Sequence, residues 1–254
     1  RFDRTDLDSM EQAFGGKQYD IVFDQIGYCA DDMADSCKVF TGSTGHYVFT
    51  SSIVVYEACP GVGKVEEEFD PLNVSCNRGR FPDDIDYTKG KIEAEAYLAQ
   101  NAAFPFVCAR IPIVMGPGDP TDRMEFIVRR ILAGRPIVIP PDSGLRNYVH
   151  WDDAGRFIAW LGTTARTGAY NAGSERWIGP REMTMLAGST LGIEPVILDQ
   201  GDAGDQTDYA GGTDYTVDVS KAKREGFEFM AFDQWYPRVV EETAQIIRRD
   251  SKSD

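Results

Sequence analysis

The sequence has no run of about 20 apolar residues, the length a membrane-crossing helix needs, so a spanning protein is excluded at the level of hydropathy. Its first residues, RFDRTDLDSMEQ, have neither the basic start nor the apolar centre of a secretion signal. No CxxC spacing occurs, and the five cysteines (Cys29, Cys37, Cys59, Cys76, Cys108) are odd in number. That fits reduced thiols in a cytoplasm better than a disulfide framework or a zinc site, and no metal is expected. Basic residues are outnumbered, 26 against 41 acidic ones, for a formal charge of −15. The acids are spread along the whole chain. Such a field repels phosphate backbones, so nucleic acid is an unlikely partner and a solvated acidic surface the ordinary reading. Repeats and low-complexity tracts are also absent.

What is present is an alternation of short apolar runs with amphipathic stretches, the pattern of a parallel sheet covered by helices. YDIVFDQIG (19–27) reads as a buried strand ending in a Gly loop, and ADDMADSCKVFTG (30–42) as a helix closed by Gly42. HYVFTSS (46–52) is the next strand, rich in aromatic and β-branched residues. The loop CPGVGKVEEEFDPLN leads to a helix from about Asp86 to Gln100; FPFVCARIPIV (104–114) is a further strand before the turn GPGDP. Beyond Pro120 the texture changes. DRMEFIVRRILAG is a helix whose Met124, Phe126 and Ile127 face a core, and RPIVIPP is a short extended piece. RNYVHWDDAGRFIAWLG runs strand into helix with Asp152 or Asp153 as its N-cap. GAYNAG is a strand, and GPREMTMLAGSTLG a helix with Pro180 in its first turn. Asp199 to Gly212 reads as a mobile Gly/Asp-rich loop, and two amphipathic segments close the chain. The organisation expected is a Rossmann-like doubly wound α/β domain over 1–120, N-terminally incomplete. Residues 121–254 form mainly a smaller substrate-binding lobe, with segments returning to the main domain.

A dinucleotide-binding domain opens with a strand, a glycine-rich turn and a helix whose N-terminus faces a pyrophosphate. The chain contains no GxGxxG or GxxGxxG; FGGKQYD (14–20) and GSTGH (42–46) lack the spacing and the context. In strand order 3-2-1-4-5-6 the missing first strand neighbours the fourth, leaving DIVFD as an apolar open edge. The expectation is that roughly 50 to 60 residues, one βαβ unit plus linkers, precede Arg1 in the natural protein.

DYTKGK (86–91) sets Tyr87 and Lys91 four residues apart, side by side on one helix face. Alone, such a pair is as easily two polar residues on a wet surface. Ser51 and Ser52, however, end the strand YVFTSS, where open α/β sheets place their ligands. ARIPIVMGPGD runs to a Pro/Gly turn at the same edge, so the three segments would meet around one crevice. A lysine ammonium nearby favours the phenolate of a tyrosine whose ordinary pKa is about 10. Tyr87 could then move a proton at a carbinol oxygen.

These segments resemble the extended short-chain dehydrogenase/reductase superfamily, in its NAD-dependent epimerase/dehydratase family. FTSSIVVYE, DYTKGK, ARIPIVMGPGD, RNYVHWDDAGR and DVSKAKREGFEF carry the likeness in order, over nearly the whole chain. The resemblance implies NAD or NADP as cofactor and a sugar or nucleotide-sugar as substrate. It implies a Ser52–Tyr87–Lys91 site in which Lys91 also holds the nicotinamide ribose and Ser52 bonds the substrate oxygen. Gln25, Ile26, Gly27 and Ser51 would touch the cofactor, with Ile111, Pro112 and Val114 along the nicotinamide. Arg146 would contact a substrate phosphate through its planar fork, the plain alternative being a surface ion pair. A homodimer through helices that include the one carrying Tyr87 is also implied.

The chain departs from the family pattern at Ile113, where Asn is usual, at Ile111 in place of Pro, and at Asn147 in place of Asp. YDIVFDQIGY and the segment before Tyr87 also resemble a divergent subgroup that includes chloroplast stem-loop-binding proteins. That keeps open an RNA-associated or nucleotide-sensing protein on the same fold, with Arg129, Arg130 and Arg135 as a basic patch or simply part of an amphipathic helix. His150 reads as a packing residue rather than a catalytic one.

Overall fold

The computed structural model describes residues 1–59, 61–77 and 79–250. In chain order its elements are α1 (Leu7–Phe14), β1 (Val22–Asp24), α2 (Ala30–Phe40), β2 (Tyr47–Ser52), α3 (Tyr87–Asn101) and β3 (Phe106–Ile111). They continue as β4 (Ile113–Met115), α4 (Arg123–Leu132), β5 (Ile137–Val138), β6 (Tyr148–His150) and α5 (Trp151–Thr163). Last come β7 (Gly168–Asn171), α6 (Pro180–Leu191), β8 (Ile197–Leu198), α7 (Ser220–Arg224) and α8 (Phe232–Asp250). The expected α/β class holds. Four parallel strands form the main sheet in the order β1-β2-β3-β7, and β4-β6 and β5-β8 are separate parallel pairs.

β2 sits centrally because nearly every one of its residues is apolar or small enough to be covered on both faces, as a parallel strand between helices must be. Its register with β3 sets Ser51 beside Arg110 and Ser52 beside Ile111, so both strands end at one edge. One strand was expected over 104–114; the chain instead breaks at Pro112, which has no N–H for a ladder. β3 stays in the main sheet while β4 leaves it to pair with β6. β1 forms the outer strand. Beside it Phe2, Met10, Phe14, Ile21, Phe23 and Ile26 line a largely apolar groove of about 330 Å³, consistent with the expected apolar edge.

Two further expectations are corrected. α5 begins directly at Trp151 with His150 in the cap position, because β6 runs straight into it. Asp153 is instead buried, accepting from Arg156 and from the Met230 N–H. The 199–212 segment, read as a mobile loop, is pinned by Tyr209, which is fully buried edge-on to Tyr148 with ring centroids 5.7 Å apart. The excursion between β2 and α3 packs along that helix. Asn77 donates to Glu93 at 2.7 Å, and Gln100 donates to the carbonyls of Pro71 and Val74 at 3.0 and 2.8 Å. The helix α1 had no clear signal beyond Asp6, which caps it by accepting from Asp8 N–H.

Two buried guanidinium groups tie helices to the sheet. Arg110 of β3 forms an ion pair with Glu95 of α3 at 2.8 Å, both side chains 1% exposed, and also donates to the Tyr56 hydroxyl and the Glu66 carbonyl. Arg4 bonds Asp24 of β1 at 2.7 Å and, on α2, the Asp32 carbonyl and the Ser36 hydroxyl. A buried pair is costly to break from one side because the remaining charge is uncompensated. Glu95→Leu alone should therefore lower unfolding free energy by about 3–5 kcal/mol, and adding Arg110→Met should recover part of that loss. Urea unfolding that finds the double variant worse than the single one contradicts this coupling.

Candidate functional site

α3 is placed by its first turn. Asp86 caps it, its carboxylate accepting from the Lys89 N–H at 2.9 Å. Gly90 allows close approach: a Cβ there would lie 2.3 Å from the Tyr28 carbonyl oxygen, so any larger residue pushes the helix off the loop after β1. Tyr87 thus opens the helix, 39% exposed, and Lys91 stands one turn further in, 2% exposed.

The Lys91 ammonium donates to the carbonyls of Gly27 and Thr50, each at 2.8 Å. It also lies 4.8 Å from the Tyr28 ring centre, 4.9 Å from Phe49 and 5.8 Å from Tyr87. Two of its three protons are thereby spent. Burial lowers its pKa to about 8, against the pull of Asp24, Glu95 and Asp32.

Tyr87 departs from the simplest expectation. Its phenol is raised above the ordinary value, chiefly by burial. The Ser52 hydroxyl opposes that most strongly, Tyr28 adds to it, and the Arg123 charge opposes it more weakly. Lys91 points into backbone carbonyls rather than at the phenol oxygen, so the downward pull on Tyr87 comes from Ser52 and Arg123.

These groups open onto a cavity of about 550 Å³ at the carboxyl edge of the sheet, a size suited to a small organic ligand. Of the residues singled out from the sequence, Gln25, Ser51, Ser52, Tyr87, Lys91, Ile111, Pro112, Val114 and Arg146 line it. Gly27 lies behind Lys91 as its hydrogen-bond acceptor. Ile26 is the exception: its N–H is drawn to the Asp24 carboxylate at 3.1 Å and its side chain lines the groove beside β1 instead. Ser51, 2% exposed, has no hydrogen-bond partner for its hydroxyl among the described residues, nor has Thr50. Both therefore retain capacity for a ligand oxygen. Ser52 accepts from the Val54 N–H at 3.4 Å, and its hydroxyl also reaches the Tyr87 phenol.

Arg146 donates to the carbonyls of Tyr209 and Thr213 at 3.3 Å each and lies 5.5 Å from the Tyr215 ring centre. Among the described residues no surface ion pair holds it. His150 packs between Trp151 and Trp235, away from the cavity. Tyr28, Arg123, Asn147 and Tyr215 also line the cavity and were not singled out. Only Tyr28 had a usable signal, its position next to Gly27. The basic patch is largely spent, since Arg129 pairs with Glu125 and Arg130 with Asp205. Among the described residues no His, Cys, Asp and Glu cluster could hold a metal, and no helix is long and apolar enough to cross a membrane.

A parallel sheet whose strands end around one cavity defines a Rossmann-like α/β protein. The chain belongs to the NAD-dependent epimerase/dehydratase family, whose model matches residues 1–173. Among solved structures it is similar to a dTDP-glucose 4,6-dehydratase from Bacillus anthracis in complex with NAD (18% identity, TM-score 0.71, 96% of this chain and 78% of that one). It is likewise similar to a UDP-glucose 4-epimerase from Thermus thermophilus in complex with NAD (19%, 0.68, 96% and 83%). RMD from Pseudomonas aeruginosa, complexed with NADPH, is a third neighbour (14%, 0.66, 96% and 88%). NAD and NADPH, the cofactors carried by these neighbours, are of the class expected from the sequence. No curated protein matches the chain.

The buried ammonium has a signature in solution. Its pKa is about 8 in the fold and 10.5 ordinarily, so the fold bears the cost of a buried charge below pH 8. That cost disappears as pH rises from about 8 to 10.5, where only the unfolded chain still holds the proton. Relative to Lys91→Met, the wild type should gain on the order of 3 kcal/mol across that window, read by thermal unfolding at a series of pH values. A difference that does not change with pH contradicts the placement of Lys91.

Proposed function

We propose that the protein is an NAD(P)-dependent epimerase, dehydratase or oxidoreductase that acts on a hydroxyl of a sugar or nucleotide-sugar through Ser52, Tyr87 and Lys91. The observation that carries this reading is that all three side chains open onto one cavity beside an unsatisfied Ser51 hydroxyl. The residues fit the nicotinamide–ribose end of the cofactor. Lys91 has one ammonium proton left for a ribose hydroxyl, Ser51 and Gln25 stand nearby, and Ile111, Pro112 and Val114 provide an apolar wall. The phosphate end has no glycine-rich cradle in this chain. When bound, the cofactor supplies hydride transfer.

The chain's own residues do the rest. Ser52 donates to the substrate oxygen, holding it against Tyr87 and stabilising charge that develops there. Tyr87, a phenol that is protonated at neutral pH even at its ordinary pKa of about 10 and is raised further by burial, is set to give its proton to that oxygen and to take it back in the reverse direction. Arg146 has no carboxylate partner among the described residues, bonds only carbonyls there, and is suited to a phosphate. The setting we infer is cytoplasmic, in keeping with five unpaired thiols.

A second reading, a nucleotide-sensing protein that binds the cofactor without turnover, draws on the commitment of Lys91 to carbonyls rather than to Tyr87. Tyr87→Phe separates the two. In a screen of nucleotide-sugars with NAD and NADP, it should lower turnover roughly 100- to 10,000-fold while leaving cofactor affinity nearly unchanged. Equal losses in both remove Tyr87 from the proton-transfer role, and binding without any wild-type turnover favours the sensor.

A further inference from the structure

The cavity wall has a charge pattern at odds with the rest of the molecule. The chain has 41 acidic residues, yet Lys91, Arg123 and Arg146 line this cavity and, among the described residues, no Asp or Glu does. Arg123 is the member the chemistry above leaves unused, and its placement is locally unfavourable. It is the first residue of α4, at the helix pole that disfavours a cation. It follows Asp122, a non-glycine residue held at φ 54°, in the left-handed region. It is half-buried, and among the described residues it has no carboxylate within ion-pair distance, whereas Arg129, Arg130 and Arg181 each have one. Arg146 is equally unneutralised but lies towards Tyr215. Arg123 is the arginine whose charge reaches the Tyr87 phenol.

We infer that Arg123 is a specificity-determining residue, gripping an anionic group, carboxylate or phosphate, carried on the sugar itself near the reacting hydroxyl and distinct from any anion held by Arg146. The inference rests on the cavity being the substrate site, as proposed above. A guanidinium with five donors and no internal partner is suited to a bidentate oxyanion. A cation kept unpaired at a helix start costs stability in the free protein, a cost that a bound anion removes.

Isothermal titration calorimetry with four probes tests this. UDP-glucuronate against UDP-glucose isolates a ring carboxylate, and glucose 6-phosphate against glucose isolates a phosphate. The wild type should favour the anionic member of at least one pair by roughly 10- to 100-fold, the worth of a charge-assisted bond, and the responding pair names the anion. Arg123→Gln should erase that preference while its melting temperature stays level or rises, and Arg123→Lys should restore part of it. Arg146→Gln should weaken UDP-glucose and UDP-glucuronate together and leave their ratio intact. No anionic preference in either pair, or a preference that survives Arg123→Gln, overturns the inference. Because binding is read without turnover, an intact preference in a protein that turns nothing over sinks the enzymatic reading alone. Turnover of neutral sugars with no anionic preference sinks this one alone.

Discussion

The hydrogen bonds from the Lys91 ammonium to the carbonyls of Gly27 and Thr50 are the constraint on which the rest of the site depends. They join three pieces of chain distant in sequence: the loop after β1, the end of β2 and the second turn of α3. Lys91 is almost fully enclosed, and a charge so placed is tolerated only where acceptors are fixed around it. Fixing them also fixes the two strand ends relative to Tyr87. The separation of Ser52 and Tyr87 is therefore set by backbone, not by flexible side chains.

Beneath that anchor lies a second tier of buried charge. Asp24, Asp32 and Glu95 all attract Lys91, and each is tied in turn, Asp24 by Arg4, Asp32 by Arg80 and Glu95 by Arg110. Acids that would otherwise repel one another inside an acidic protein become a scaffold. Arg4 reaches in from the first residues and Arg80 from the excursion between β2 and α3, so distant segments help position one ammonium. Among the described residues, the cavity above this scaffold is lined by positive charge only. That inversion of the molecule's overall sign is the clearest electrostatic statement the structure makes about its ligand.

The parts legible in the sequence were those governed by local rules. β2 read correctly because a doubly covered parallel strand must be apolar throughout, and α3 because Asp86 caps it and the i,i+4 spacing orients Tyr87 and Lys91. Family likeness supplied Gln25, Ile111, Pro112 and Val114, which do line the cavity, and Ile26, which turns away from it under the pull of Asp24. What could not be read depends on contacts between remote segments. Arg123 looked like the start of an amphipathic helix, and nothing local tells a paired arginine from an unpaired one. The wrap over α3 is built from Asn77, Pro71 and Val74, whose partners lie 16 or more residues away. The split of 104–114 into β3 and β4 was signalled by Pro112, but which strand each half would join was not. Asp153 was read as a cap, the local habit of its residue type, whereas the N–H it satisfies belongs to Met230.

The central claim is that Lys91 is an anchored cation whose one remaining proton faces a ribose hydroxyl. Saturation-transfer difference NMR with nicotinamide mononucleotide and, separately, adenosine monophosphate tests it most directly. The account predicts saturation of the nicotinamide and ribose protons of the first ligand, no comparable signal from the second, and loss of the signal in Lys91→Met. Equal signals from both ligands, or a nicotinamide signal that Lys91→Met leaves unchanged, would contradict it.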